Sequence, residues 1–229
     1  MIRLVAVDID GTMTFKDRKL DLAAVESIRK AEDSGLPVTL ATGNVLTFAE
    51  AAATLLGTSG PLIAEDGGIV FDIETGREYI LGDRVEADRG LVALEQTFGH
   101  LKQTRSSPAR LTGLTLKREV PVEDIQKVLR NEGLSLVAVD SGFAIHIRTP
   151  DVNKGNALRK ISSIMGVPLA EIAAIGDGPN DVEMLQMAGT SFAVANSPDE
   201  VKCVCTHVTN FPYGKGTAEA IEHILSLYR

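Results

Sequence analysis

A chain of 229 residues with 44% hydrophobic residues has enough material for a packed core and an inserted second unit. No stretch approaches the run of about 18 apolar residues that a membrane helix needs, and no secretory signal pattern is present at the N-terminus. The net charge of -8 disfavours a nucleic-acid partner, because nucleic-acid-binding proteins usually carry a basic face. These features predict a soluble, cytoplasmic protein without a membrane partner.

Strand-like and helix-like segments alternate over the first third of the chain. The apolar run "LVAVDID" predicts a buried strand. A helix is predicted over "DLAAVESIRKAEDSG", because Leu22, Val25 and Ile28 recur at helical spacing and Asp21 is placed to cap its start. A strand ("PVTLATGN"), a helix ("VLTFAEAAATLLG") and a further strand ("PLIAEDGG") follow. The segment "GIVFDIETGREYIL" predicts a hairpin that turns at residues 75–76.

The pattern changes from about residue 83. A helix is predicted over "RVEADRGLVALEQTF", an extended segment over "RLTGLTLKRE" and a second helix over "PVEDIQKVLRNEG". The segment "LSLVAVDSGFAIHIR" then predicts a hairpin that turns at residues 141–142. These elements predict a small α+β unit of their own.

After Pro150 the earlier alternation returns. Helices are predicted over "NKGNALRKISSIMG", "DVEMLQMA" and "TAEAIEHILSLY", and strands over "IAAIGD", "TSFAVAN" and "CVCTHV". Alternation of this kind predicts an α/β fold with a Rossmann-like, mainly parallel sheet. We expect residues 1–82 and 151–229 to form this core and residues 83–150 to form an inserted α+β domain.

Polar residues collect where three of the predicted strands end, namely Asp8 and Asp10, then Thr42, Gly43 and Asn44, then Asp177, Asn180 and Asp181. Ligands of open α/β sheets bind beyond the carboxyl ends of the strands, so these residues meet if the three strands are neighbours. Four carboxylates in one pocket require a compensating cation. Oxygen ligands of this kind suit Mg²⁺, which is often shared with a substrate phosphate. Lys154, at the start of a predicted helix, would add a second positive charge.

Two other phosphate or metal motifs fail on the residues present. A calcium loop that starts at Asp8 needs glycine where Met13 stands and a carboxylate where Lys19 stands. The phosphate loop of nucleotide hydrolases needs Ser or Thr after its Gly-Lys pair, but the pair at Gly214 is followed by Gly216.

The two cysteines lie close together in "VKCVCTHVT". A strand there would place Cys203, Cys205 and His207 on one face, which raises the possibility of a metal site. Three ligands along one straight strand diverge from a tetrahedral ion, so we interpret the cysteines as small buried hydrophobes beside a surface histidine. Without a disulfide framework, a reducing compartment fits.

Four segments, "DIDGT", "ATGN", "KGNAL" and "GDGPNDVEML", resemble in this order the four motifs of the haloacid-dehalogenase superfamily of phosphohydrolases. The insertion lies between the second and third motifs, as in members with an α/β (C2-type) cap. The similarity continues through "SFAVANSPDEVK" and "VTNFPYGKGTAEAIEHIL". The chain also resembles the archaeal-type phosphoglycolate phosphatases, which are similarly short. Asn44 stands where many members have Arg, and Asp66 stands where Asn is common.

The resemblance implies a role for each residue. Asp8 would attack phosphorus and form an aspartyl-phosphate, and Asp10 would protonate the leaving oxygen and then take a proton from the hydrolytic water. Thr42, Gly43, Asn44, Lys154 and Asn180 would bind the substrate. The Mg²⁺ ligands would be Asp8, the Asp10 backbone carbonyl, Asp177, and Asp181 directly or through water.

The resemblance therefore implies a Mg²⁺-dependent phosphomonoester hydrolase, with 2-phosphoglycolate as the leading substrate. A sugar-phosphate phosphatase, a phosphomutase and a catalytically silent phospholigand sensor are the alternatives, although a sensor has no need of Asp10. Residues 83–150 carry ten Lys and Arg against nine Asp and Glu, a net of +1, which leaves -9 for the rest. One of five cations in this insertion could grip a substrate carboxylate: Arg105, Arg110, Lys117, Arg118 and Arg148. The chain is expected to be a monomer or a homodimer.

Overall fold

The structure is a computed structural model that describes residues 1–228. Its strands are β1 (Leu4–Asp8), β2 (Val38–Ala41), β3 (Leu62–Ala64), β4 (Ile69–Asp72), β5 (Arg77–Ile80), β6 (Leu114–Leu116), β7 (Val137–Asp140), β8 (Ile145–Arg148), β9 (Ile172–Gly176), β10 (Thr190–Ala193) and β11 (His207–Val208). Its helices are α1 (Leu22–Asp33), α2 (Leu46–Leu56), α3 (Val85–Phe98), α4 (Val122–Asn131), α5 (Lys154–Met165), α6 (Val182–Met187), α7 (Asp199–Lys202) and α8 (Tyr213–Tyr228). Within residues 1–228, no helix combines the length and the apolar character that crossing a membrane would require.

The central sheet has eight strands in the order β11-β10-β9-β1-β2-β3-β4-β5. The pairs from β11 to β3 are parallel, and β4 and β5 are added as antiparallel strands. The mainly parallel α/β fold expected from the sequence is thereby confirmed.

Strand β1 lies in the interior of the sheet, and both of its faces are covered. Val5 and Val7 pack into an apolar cluster with α1 and α8, whereas Leu4 and Ala6 pack against α5 on the opposite face. The flanking strands β9 and β2 are both parallel to β1, and Asp8 pairs in register with Ala41. The carboxyl ends of the three strands therefore meet at one edge of the sheet. This is the arrangement under which the polar residues predicted at those ends come together.

A second sheet is built from the inserted segment. Its three strands are antiparallel in the order β6-β8-β7. Leu94 of α3 and Ile125 and Leu129 of α4 form a separate apolar cluster with residues of β6 and β8. We call this α+β unit the cap. The limits 1–82 with 151–229 for the core and 83–150 for the cap stay our proposed domain boundaries.

Most predicted elements are confirmed, including the Asp21 cap of α1, whose carboxylate accepts from the Ala23 amide at 3.1 Å. Helix α8 begins at Tyr213, four residues before the predicted start. The strand predicted over "CVCTHV" is wrong.

Residues that precede the cysteines explain this error. Pro198 is followed by Asp199 and Glu200, which begin the short helix α7, and the turn after α7 contains both cysteines. Only residues 207–208 form a strand. Cys203 is exposed and Cys205 is half-buried, so the single face that the metal interpretation assumed does not exist, and the description of both as buried hydrophobes is wrong as well.

Candidate active site

The first polar group lies where β1 ends. Asp8 is the last residue of the strand and is buried, and Asp10 follows in the turn. Gly11 has a φ of +93°, in the left-handed region that favours glycine, and a Cβ there would collide with the Asp177 carboxylate. This turn therefore brings the loop after β1 directly against the loop after β9.

Three carboxylates and one lysine form the centre of the site. Asp8, Asp177 and Asp181 each offer an oxygen, and these atoms all lie within 4.8 Å of one another. The Lys154 ammonium, at the start of α5, donates to Asp8 Oδ1 at 2.5 Å and to Asp181 Oδ1 at 2.6 Å. Lys154 is fully buried, so both ion pairs are shielded from water.

The electrostatics of this centre show a deficit of positive charge. Burial, followed by repulsion from Asp181, raises the pKa of Asp8 well above its ordinary value and raises the pKa of Asp177 to about 7. Burial lowers the pKa of Lys154, but Asp181 and Asp8 outweigh it and hold that pKa above its usual range. The centre thus contains three carboxylates and a single ammonium group, which bonds two of them.

The donor set fits a hard divalent cation. The cluster supplies only carboxylate oxygens, which are the ligands that such a cation prefers. Asp181 Oδ2 already accepts from the amides of Asp177 and Gly178 at 3.0 and 2.9 Å. Because Asp181 Oδ1 is bound to Lys154, an approach to a cation through water suits this residue better than direct ligation.

Asp10 lies apart from the three-carboxylate cluster. Its Oδ1 accepts from Arg18 Nε at 2.8 Å, and its Oδ2 accepts from Asn44 Nδ2 at 2.6 Å. The Arg18 guanidinium also lies 5.6 Å from the centroid of the Phe143 ring of the cap. The second carboxylate of "DID" is therefore held by two donors at the edge of the pocket.

The loop after β2 supplies the opposite wall. Thr42 Oγ1 accepts from the backbone amide of Asn44 at 3.0 Å and from its side chain at 3.1 Å. A Cβ on Gly43 would lie 2.8 Å from both Asp66 Oδ1 and His146 Cε1, so only glycine fits beneath these two side chains. Asn180, from the loop after β9, donates to Asp66 Oδ1 at 3.4 Å. The structure thus brings the residues that the sequence predicted at the three strand ends to one edge of the sheet.

The cap closes the other side of a pocket of about 100 Å³. Of the five candidate cations of the insertion, Arg110 lines this pocket and is buried. Arg148 pairs instead with Glu183, and three others have exposed side chains: Arg105, Lys117 and Arg118.

Sequence reasoning missed Arg18 and His146 at the site, and it noted Asp66 only as a departure from the family pattern, without a role for its buried carboxylate. Asp66 Oδ2 accepts from Arg110 Nη2 at 2.9 Å and from His146 Nδ1 at 2.6 Å. A signal for His146 was available, because in "IHIR" the polar residues alternate with isoleucines and so form one polar face of β8. The contacts of Arg18 and Asp66 had no local signal.

Comparisons with known proteins agree with this architecture. The phosphoglycolate phosphatase of Methanothermobacter thermautotrophicus is 38% identical to the chain and covers 98% of it, with 99% of the relative matched. The phosphoglycolate phosphatase of Methanothrix thermoacetophila is 40% identical, with 98% of this chain and 97% of the relative covered. A Thermoplasma acidophilum crystal structure superposes with a TM-score of 0.89 at 30% identity, covering 98% of this chain and 99% of that one. Residues 5–89 and 99–221 match the haloacid dehalogenase-like hydrolase family, and the chain belongs to that family.

Proposed function

We propose that the chain is a Mg²⁺-dependent phosphomonoester hydrolase that acts through an aspartyl-phosphate at Asp8 and that its substrate is 2-phosphoglycolate. The observation that supports this reaction type is that the two carboxylates of "DID" lie in different environments. Asp8 is buried on Lys154, whereas Asp10 is held at the pocket edge by Arg18 and Asn44. The names of the relatives with 38–40% identity support the substrate.

The first half-reaction assigns a task to each carboxylate. Lys154 holds Asp8 Oδ1, which leaves Oδ2 free to attack phosphorus. As the Asp8–phosphorus bond forms and the bond to the leaving oxygen breaks, Asp10 gives its proton to that oxygen. Thr42, the Gly43 amide and Asn180 would hold the phosphate oxygens, and Lys154 offsets the charge that develops near Asp8.

The second half-reaction reverses the role of Asp10. Its carboxylate takes a proton from water, the water oxygen bonds to phosphorus, and the Asp8–phosphorus bond breaks to release phosphate. Asp8, the Asp10 carbonyl and Asp177 would hold Mg²⁺, with Asp181 acting through water. When bound, the cation supplies positive charge that keeps Asp8 ionised and offsets the negative charge of the phosphoryl group.

The relatives and the two carboxylates of "DID" distinguish this function from its alternatives. The relatives with 38–40% identity are named phosphoglycolate phosphatases, which disfavours a sugar-phosphate phosphatase or a sugar phosphomutase. A phospholigand sensor has no use for a proton-transfer carboxylate, yet Asp10 is placed by two hydrogen bonds.

A panel of phosphomonoesters with Mg²⁺ tests the substrate. We expect kcat/KM for 2-phosphoglycolate to exceed that for hexose phosphates by at least about tenfold, or about 1.4 kcal/mol of transition-state binding. Release of inorganic phosphate is the measurement. Equal or faster turnover of hexose phosphates would move the assignment to a sugar-phosphate phosphatase, and a requirement for a bisphosphate activator would indicate a mutase.

Melting curves test the cation independently of activity. Because a ligand at about 100 times its Kd stabilises a fold by about 2.7 kcal/mol, we expect saturating Mg²⁺ to raise the Tm by about 5–10 °C, and EDTA to reverse the rise. Asp177→Asn should remove the shift, whereas Asp33→Asn, an exposed substitution at the end of α1, should retain it. An equal Mg²⁺ shift in the Asp177→Asn protein would contradict the proposed metal site.

A further inference from the structure

Arg110 is a cap residue that contacts two core loops at the strand ends. Its Nη1 donates to the Gly43 carbonyl at 2.6 Å, and its Nη2 donates to Asp66 Oδ2 at 2.9 Å. The residue is only 4% exposed. A cap guanidinium therefore lies directly on the core loop that would hold the phosphate.

The position of Arg110 is fixed by a shared carboxylate. Asp66 accepts from His146 as well as from Arg110, and the other ring nitrogen of His146 lies 3.1 Å from Ser141 Oγ. Burial raises the pKa of Asp66, but His146, followed by Arg110 and Arg148, outweighs it and holds that pKa well below its usual range. Asp66 thus stays ionised and holds both cap side chains above Gly43.

The guanidinium has donors left for a ligand. Nη1 and Nη2 each carry two N–H groups, and each makes a single hydrogen bond to the core. Since Arg110 lines the pocket, an anion bound there can accept from this guanidinium.

The chemistry of the cap wall specifies that acceptor. Among the described residues that line the pocket, those of the cap include hydroxyl groups and no carboxylate, and the hydroxyls belong to Thr104, Ser106, Thr115 and Ser141. The acidic lining residues are Asp8, Asp10 and Asp177, all from the core. The cap side therefore favours an anion that lies away from the three core carboxylates.

We propose that Arg110 determines specificity by binding the second anionic group of the substrate, a carboxylate, with its guanidinium. This inference rests on the proposed function, in which the Gly43 amide holds the phosphate. The amide nitrogen and carbonyl oxygen of a single residue lie within about 4 Å of each other, so phosphate and guanidinium are one peptide unit apart. That spacing matches a phosphate and a carboxylate joined by one methylene group.

The test compares two esters of the same length. In 2-hydroxyethyl phosphate a neutral hydroxymethyl group replaces the carboxylate of 2-phosphoglycolate, so the ratio of the two kcat/KM values isolates carboxylate recognition. We expect Arg110→Met to lower this ratio at least about tenfold and Arg110→Lys to lower it less, because lysine keeps the charge but loses the fork of donors. Arg118→Met is the matched control: this exposed cap arginine pairs with Asp140 outside the pocket, and its ratio should match that of the wild type.

Binding to the inactive Asp8→Asn protein gives a second readout that needs no turnover. Calorimetry should show that adding Arg110→Met weakens 2-phosphoglycolate binding at least about tenfold and changes 2-hydroxyethyl phosphate binding by less than about twofold. Equal losses for the two esters would overturn the role of Arg110. If Arg110→Met does not fold, the test uses the ratio of the two kcat/KM values in Arg110→Lys. A ratio equal to that of the wild type would also overturn the role of Arg110. If the wild type released phosphate from neither ester, the proposed function would be contradicted. The binding comparison would still decide the role of Arg110.

Discussion

Replacing Asp8 with Asn will lower kcat for phosphomonoesters by about 10⁴-fold or more, because a carboxamide oxygen is a poor nucleophile toward phosphorus. The substitution keeps the shape of the side chain, and Lys154 keeps its bond to Asp181. Phosphate release from 2-phosphoglycolate and from an aryl phosphate is the measurement. Turnover of both substrates should be lost, because both require the attack of Asp8 on phosphorus.

The same variant should fold at least as well as the wild type without metal. Asp8 is buried and clusters with the carboxylates of Asp177 and Asp181, and its raised pKa reflects burial and repulsion by Asp181. Removing this charge relieves the repulsion, so we expect the Tm in EDTA to be equal or higher. Asp33→Asn, the same change at an exposed position, should leave rate and Tm unchanged. Wild-type turnover by pure Asp8→Asn protein would rule out an aspartyl-phosphate at this position.

The meeting of the polar residues at one edge of the sheet could be predicted, because it depends on local patterns in the sequence. The run of apolar residues before Asp8 requires a strand that is covered on both faces, and such a strand occurs in the interior of a parallel sheet. Once β2 and β9 flank it, the residues that follow each strand must meet, since parallel strands end at the same edge.

The contacts between cap and core could not be predicted in the same way. Asp66 is 44 residues from Arg110 and 80 residues from His146 along the chain, and no periodicity links them. Their meeting depends on how the cap packs over the strand ends, which a one-dimensional pattern does not contain. Five cations of the insertion were equivalent in the sequence, and only the packing distinguishes Arg110 from the others.

The error at the cysteines has a different cause. Alternation of Cys203, Cys205 and His207 suggested a strand, but a period of two over so few residues is weak support. Thr206 competes with that strand, because its hydroxyl accepts from the Ser191 amide at 2.8 Å and donates to the Ser191 carbonyl at 2.7 Å. These bonds attach the turn to the start of β10 and leave only two residues for β11.

Replacing Asp10 with Asn has the second-largest expected effect, and its size should depend on the leaving group. An alkoxide such as that of glycolate must be protonated as it departs, so kcat for 2-phosphoglycolate should fall by about 10²–10⁴-fold. A nitrophenolate is stable as an anion and needs no proton. The Asp10→Asn protein should therefore still release nitrophenolate in the first half-reaction.

Rapid-mixing kinetics with p-nitrophenyl phosphate separate the two half-reactions. Without the Asp10 carboxylate, no base takes the proton from the hydrolytic water, so the Asp10→Asn protein should release about one equivalent of nitrophenolate per active site and then turn over slowly. Asp17→Asn, an exposed change in the same loop, should behave as the wild type. If Asp10→Asn instead loses activity equally toward alkyl and aryl esters and shows no burst, Asp10 is not the proton carrier. Its bonds to Arg18 and Asn44 would then serve only to hold the loop beside the pocket.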